Sequence, residues 1–278
     1  MTPPSTLRSK SPLVIAHRGA SAVAPENTLV AFEIACRAGA QMIETDARLT
    51  RDGQVVLLHD ARLERTTNLS GAVAQTDAAS VLAADAGYWF PARDADEHRH
   101  SWTWRGRDAC VPTLAQALAW LAAEWPTVRL NVEIKVDGVD TAATSDTVRQ
   151  TVTTVLRLVD QLHASRQVLV SSFNRAVIVA VREQCPLIDT ALIVAGEVDL
   201  AEVIAWSHAQ GCTALHPHHR LLGTPADAER RVQAAQAAGL QVHVWTVNAI
   251  ERMRELAGAG VSGIMTDDPD LLRQTLAG

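Results

Sequence analysis

Eight short apolar runs, each followed by a longer amphipathic or polar stretch, recur along this chain of 278 residues. The runs lie at 13–16, 42–46, 130–135, 168–171, 190–194, 213–215, 242–245 and 263–265. Residues 27–38, 114–124, 147–162, 174–184, 200–210, 225–238 and 250–257 carry apolar residues at helical spacing between them. Strands that alternate with helices pair in parallel, because each helix carries the chain back across the sheet. Eight such units predict an α/β fold in the form of a closed (β/α)₈ TIM barrel. Alternation alone also fits an open doubly wound sheet.

One run breaks the rhythm. Residues 55–58 read as a strand, but only residues 47–54 separate them from Asp46, too few for a parallel crossover of roughly a dozen residues. The turn Arg51-Asp52-Gly53 should therefore return this strand antiparallel and leave His59 near the end of the second barrel strand. The stretch 60–112 that follows is too long for an ordinary loop. It is expected to fold as a small insertion over one end of the barrel, within one domain spanning 1–278. Its Trp89, Trp102 and Trp104 are expected to build its core, beside the polar run 93–100.

A formal charge of −6 argues against a nucleic-acid backbone as the main partner. No apolar run is long enough to span a bilayer, and residues 1–11 lack the apolar stretch of a secretory leader. Stable membrane insertion is not expected. Cys36, Cys110, Cys185 and Cys212 are scattered without CxxC spacing, as buried free thiols of a reducing compartment would be. The expected location is cytoplasmic; oligomeric state is not legible.

Charged side chains crowd the ends of the strands. His17-Arg18 follows the first, Glu44 and Asp46 close the second, and Glu133 and Lys135 close the third. Successive strand residues face opposite sides, so Glu44 shares a face with Asp46, and Glu133 with Lys135. In a barrel these ends form one rim, where functional groups collect. A single such residue is more often a helix cap or a surface ion pair; three strands delivering charge to one rim are not. Glu44, Asp46 and Glu133 offer hard oxygen ligands with no cysteine nearby, a set suited to a divalent metal, Mg²⁺ or Ca²⁺. Arg18 and Lys135 would neutralise a phosphate beside it. His17 and His59 are the natural proton carriers, His17 assigned as base and His59 as acid. Asp267 and Asp268 precede Pro269 and read as a helix cap. The cluster His216, His218, His219 lacks zinc-helix spacing and reads as a pocket-lining or solvated loop.

In order along the chain stand His17-Arg18-Gly19, Pro25-Glu26-Asn27-Thr28, Glu44-Thr45-Asp46, Asp52-Gly53, His59-Asp60 and Arg65-Thr66-Thr67-Asn68. Val111-Pro112-Thr113-Leu114, Glu133-Ile134-Lys135, Ser171-Ser172-Phe173, Trp245-Thr246-Val247-Asn248 and Thr266-Asp267-Asp268-Pro269 follow. This ordered set resembles the glycerophosphodiester phosphodiesterase family over residues 13–271. The resemblance implies a TIM barrel that hydrolyses small-molecule glycerophosphodiesters to glycerol 3-phosphate and an alcohol. It assigns the divalent metal to Glu44, Asp46 and Glu133, proton transfer to His17 and His59, and phosphate binding to Arg18 and Lys135. Phe173 and Trp245 would shape the substrate pocket. A lyase that forms a cyclic phosphate, and a silent phosphate-binding barrel, are the competing readings.

Overall fold

The computed structural model describes residues 11–90, 104, 106, 109–136 and 142–277; the polar run 93–100 and Trp102 lie outside them. Strand β1 (Leu13–His17) pairs in parallel with β2 (Met42–Leu49) on one side and with β9 (Gly263–Thr266) on the other, which closes the sheet. Around the ring from β2 run β4 (Arg129–Ile134), β5 (Val168–Ser172), β6 (Asp189–Val194), β7 (Ala214–Pro217) and β8 (Gln241–Val244), every neighbour parallel. The antiparallel return is β3 (Val55–Leu57), which pairs with residues 47–49 and so draws β2 beyond the expected Asp46. The closed ring decides between the barrel and the open sheet in favour of the barrel.

Helices α1 (Leu29–Arg37), α2 (Ala78–Leu82), α3 (Leu114–Glu124), α4 (Ala142–Gln161), α5 (Arg175–Gln184) and α6 (Leu200–Ala209) follow in chain order. After them come α7 (Pro225–Ala237), α8 (Ile250–Gly258) and α9 (Pro269–Ala277). Their first turns are tied by side chains that the sequence supplies at the right place. Thr28, Asn174, Asp199 and Thr224 each accept from a backbone N–H, and Thr113 with Gln116 forms a reciprocal capping box, each such cap contributing about 1 kcal/mol. The main core lies between sheet and helices, where Val14, Ile43, Leu130, Val170 and Val244 face outward from their strands.

Alternation turns the other side chains inward. Ile15, Met42 and Met265 form one small cluster and Leu169, Ala191 and Ala214 another. Gly263 is required there: a Cβ would stand 2.7 Å from Ile15 and 2.9 Å from His243. Polar Asn131, Ser171, His216 and His243, all fully buried, share the interior.

Strand β3 separates two apolar layers. Val55 and Leu57 join the main core, whereas Val56 and Leu58 join a second one with Leu63, Val73, Val81, Ala86 and Val111. The insertion therefore has its own core, but an aliphatic one. Trp89 is half-buried against Phe90 and Trp104 half-buried with its Nε1 donating to Val23 O, which corrects the expectation of a tryptophan core. All four cysteines are free, with Cys36 and Cys212 buried, Cys185 half-buried and Cys110 exposed.

Candidate active site

The sharp turn after β1 builds one wall. Arg18 (φ +56°) and Gly19 (φ +85°) take left-handed conformations, and a Cβ at Gly19 would lie 2.7 Å from Ala31. Only glycine fits there, and the turn directs the Arg18 backbone N–H onto Glu44 Oε2 at 3.0 Å. Register does the rest: His17 sits opposite Glu44 across β1–β2, and Asp46 opposite Glu133 across β2–β4.

Glu44, Asp46 and Glu133 are buried, with one oxygen from each lying within 4.8 Å of the others. Burial, followed by repulsion from Asp46 and Glu133, pushes the Glu44 carboxyl well above its usual pKa. Burial and Asp46 raise Glu133 to about 7. Asp46 goes the other way: burial opposes its charge, but Lys135 and Arg18 outweigh it and hold the carboxylate below the ordinary range. Lys135 Nζ lies 3.1 Å from Asp46 and 2.5 Å from Glu133, and Arg18 Nε 3.2 Å from Asp46. Both expected phosphate ligands are thus ion-paired with carboxylates. Asp46 Oδ1 and Glu133 Oε1 receive no hydrogen bond of proper geometry despite those ion pairs. Three crowded oxygen donors, two with raised pKa values and two with unanswered oxygens, fit a hard divalent cation.

The histidines stand at the same cavity, each with Nδ1 on an aspartate. His17 Nδ1 lies 2.7 Å from Asp267 Oδ1, and His59 Nδ1 2.6 Å from Asp60 Oδ1. A carboxylate accepts only, so each Nδ1 carries hydrogen and each Nε2 is the working end. Asp267 also accepts from Ser21 Oγ at 3.0 Å and Asn248 Nδ2 at 2.6 Å. Burial works against its charge, but these bonds prevail and keep it ionised. Arg65 joins the second pair to the first wall: it donates to Asp60 and, through two nitrogens, to Glu26, which also receives Arg18 Nη1 at 2.9 Å. Asp60 is lowered to about 2, chiefly by Arg65.

A cavity of about 190 Å³ collects His17, Arg18, Glu44, His59, Glu133 and Lys135. Phe173 and Trp245 line it too, edge to face at 5.5 Å, with Phe173 open to solvent. Every sequence candidate thus lies at this cavity except Asp46, which contacts it through Arg18 and Lys135.

Two supporting groups escaped the sequence reading, and a third lines the pocket as expected but from a strand. Asn27, left-handed at φ +58°, donates to Asp46 Oδ2 and accepts from Thr45 and the Asp46 N–H, so it fixes that carboxylate. Asp267 holds His17; only Asp268 caps α9, accepting from Leu271 N, which corrects the paired-cap expectation. His216 belongs to β7, not to a loop, and lines the cavity.

A family model described as the glycerophosphoryl diester phosphodiesterase family matches residues 17–271. The chain is 31% identical to a probable glycerophosphodiester phosphodiesterase 2 of Mycobacterium tuberculosis, over 97% of this chain and 92% of that protein. It is 30% identical to a glycerophosphodiester phosphodiesterase of Caldanaerobacter subterraneus, over 94% and 96%. Among solved structures, a phosphodiesterase of Oleispira antarctica in complex with the product sn-glycerol-3-phosphate superposes with a TM-score of 0.81, at 26% identity, over 96% and 98% of the two chains.

Proposed function

Because the chain belongs to the glycerophosphoryl diester phosphodiesterase family, we propose that it hydrolyses glycerophosphodiesters to glycerol 3-phosphate and an alcohol, with divalent-metal dependence, at the cavity described above. The observation that carries this is the convergence of three buried carboxylates and two histidine–aspartate pairs at one barrel rim.

Glu44, Asp46 and Glu133 would hold the metal, Mg²⁺ or Ca²⁺, which when bound polarises a phosphoryl oxygen. Arg18 and Lys135 bring positive charge to the same side and bind the phosphate. Water attacks phosphorus, losing a proton to one imidazole, while the bond to the leaving alkoxide breaks and that oxygen takes a proton from the other. We assign the base to His59 and the acid to His17, the reverse of the sequence reading. Burial first, then Arg18 and Lys135, lower His59 despite Asp46, which favours a neutral ring with a free Nε2 lone pair. His17 takes the other role, its Nδ1 held by Asp267 at 2.7 Å so that Nε2 faces the cavity. Phe173 and Trp245 wall the carbon face of the substrate.

No helix among the described residues is long and apolar enough to cross a membrane. The four free cysteines support a cytoplasmic setting. Incubation with glycerophosphocholine and Mg²⁺ or Ca²⁺, followed by phosphorus NMR, tests the reading. Glycerol 3-phosphate is the expected signal; a persistent cyclic phosphate would replace hydrolysis by the lyase, and an unchanged diester would refute the activity.

A further inference from the structure

Inside the barrel, polar atoms at the cavity are left unanswered by the fold. Asn131 stands two residues before Glu133 on β4, so both face inward, and its side chain is fully buried. Neither its amide oxygen nor its amide nitrogen has a hydrogen-bond partner among the described residues. His216 on β7, also fully buried, leaves Nδ1 in the same condition. Both residues line the cavity shared by the catalytic candidates. Buried polar atoms without partners cost stability and are few in native proteins. Three at one cavity call for a polar ligand.

Their hydrogen-bonding character follows from their neighbours. Gln241 Oε1 lies 3.1 Å from His243 Nε2, which must therefore carry hydrogen. Burial lowers His243 to about 4, so this ring is neutral and its Nδ1 bare. That bare nitrogen accepts from His216 Nε2 at 3.1 Å. His216, kept uncharged by burial beside His243, is left with Nδ1 as a lone-pair acceptor. Asn131 adds one acceptor and two donors. An acceptor nitrogen beside an amide suits hydroxyl groups, each of which donates and accepts, and suits an anionic oxygen poorly.

We propose that Asn131 and His216 form a polar floor that binds the hydroxyls of the glycerol half, and so determine specificity for glycerol esters over plain alkyl esters. One hydroxyl donates to His216 Nδ1 and the other pairs with the Asn131 amide, while Phe173 and Trp245 cover the carbons. Gln241 and His243 act at a distance, by fixing which nitrogen of His216 is bare. The inference rests on the phosphodiesterase reading and names what that site recognises besides phosphate.

The test compares wild type, Asn131→Leu and His216→Phe on glycerophosphocholine and on 1-propylphosphocholine, the same diester without the two hydroxyls. Wild type should favour the glycerol ester by roughly a hundredfold in kcat/KM, about tenfold for each hydroxyl contact, and each variant should shrink that ratio about tenfold. Asn131→Leu should melt no lower than wild type, since it breaks no bond within the protein; a merely structural asparagine would not behave so. An unchanged ratio in Asn131→Leu overturns the proposal and leaves those atoms to internal water. So does an Asn131→Leu variant that melts several degrees lower and loses both activities equally. Should His216→Phe not fold, Asn131→Leu decides alone. If wild type cleaves neither ester, the functional reading fails, and calorimetric titration with glycerol 3-phosphate against 1-propyl phosphate decides the inference. A preference for the former that Asn131→Leu abolishes supports it; equal affinity overturns it.

Discussion

Replacing Asp267 by asparagine is the most informative single change at the acid side of the site. The carboxylate takes three hydrogen bonds, from His17 Nδ1 and Ser21 Oγ on one oxygen and from Asn248 Nδ2 on the other. An amide has only one oxygen to offer. Placed with its oxygen toward His17, it turns its NH₂ against the NH₂ of Asn248, whose own oxygen already accepts from Thr266 Oγ1 and the Asp267 N–H. Placed the other way, it donates to His17 Nδ1, and the ring must move its hydrogen to Nε2. Either orientation forfeits at least one bond to a charged group, about 1.5–3 kcal/mol. If that loss falls on the transition state, kcat/KM drops roughly 10- to 150-fold. The assay is kcat/KM for glycerophosphocholine as a function of pH, with thermal unfolding alongside. Expected is that loss together with a displaced alkaline limb of the profile, the limb set by the general acid, at little cost in melting temperature. A decline below threefold with an unmoved profile would refute the role of Asp267 as the group that positions His17.

Four further outcomes are expected. Glu44→Gln, Asp46→Asn and Glu133→Gln should each lower turnover by orders of magnitude, and chelation should stop it until Mg²⁺ or Ca²⁺ is returned; full activity after exhaustive chelation contradicts metal dependence. His17→Ala and His59→Ala should each lose about 10²–10⁴-fold, but a nitrophenyl leaving group should rescue the former more, and equal rescue dissolves the assignment of acid and base. Arg65→Met, which releases both Glu26 and Asp60, should cost about tenfold in kcat/KM, with Arg65→Lys recovering only part because an ammonium lacks the planar fork; full recovery by lysine argues against the bridge. Acid should destabilise the fold through His243: folded near 4 and unfolded near 6.5, it binds fewer protons when folded, so stability is whole above pH 6.5 and falls on the way to pH 4. The loss from this ring approaches about 3 kcal/mol, read from denaturant midpoints across that window, and His243→Phe should lessen the slope without abolishing it, because buried His216 remains.

The residues legible in the sequence were those whose placement follows from alternation alone. Glu44, Asp46, Glu133 and Lys135 sit at strand ends, where parity fixes the face and charge in an apolar run marks the rim. Asn27 and Asp267 needed knowledge that only the closed ring supplies. The bond from His17 to Asp267 spans 250 positions and exists because β1 pairs with β9. Before closure, an aspartate ahead of proline has a nearer use as a cap, and Asp268 does serve that use. Asn131 was hidden for the opposite reason: a polar residue inside an apolar run looks like noise until its amide is found without a partner. His216 read as part of a loop because Pro217 ends the strand immediately after it. The tryptophans misled because size suggests burial, whereas the aliphatic residues beneath β3 fill that space.

The second core gives the molecule two thresholds of failure. The segment that carries Asp60 and Arg65 is held to the barrel through β3, the bridge from Arg65 to Glu26, the ion pair of Asp77 with Arg51 and the bond from Trp104 Nε1 to Val23 O, and its aliphatic core is much the smaller of the two. Units of this kind open at lower free energy than the body they rest on. When this one lifts, His59 loses its aspartate and Glu26 is freed beside Arg18, yet the eight-stranded ring keeps every hydrogen bond of its own. Warming or mild denaturant should therefore silence catalysis while ellipticity still reports an intact protein, and cooling should restore activity at the pace of a local refolding.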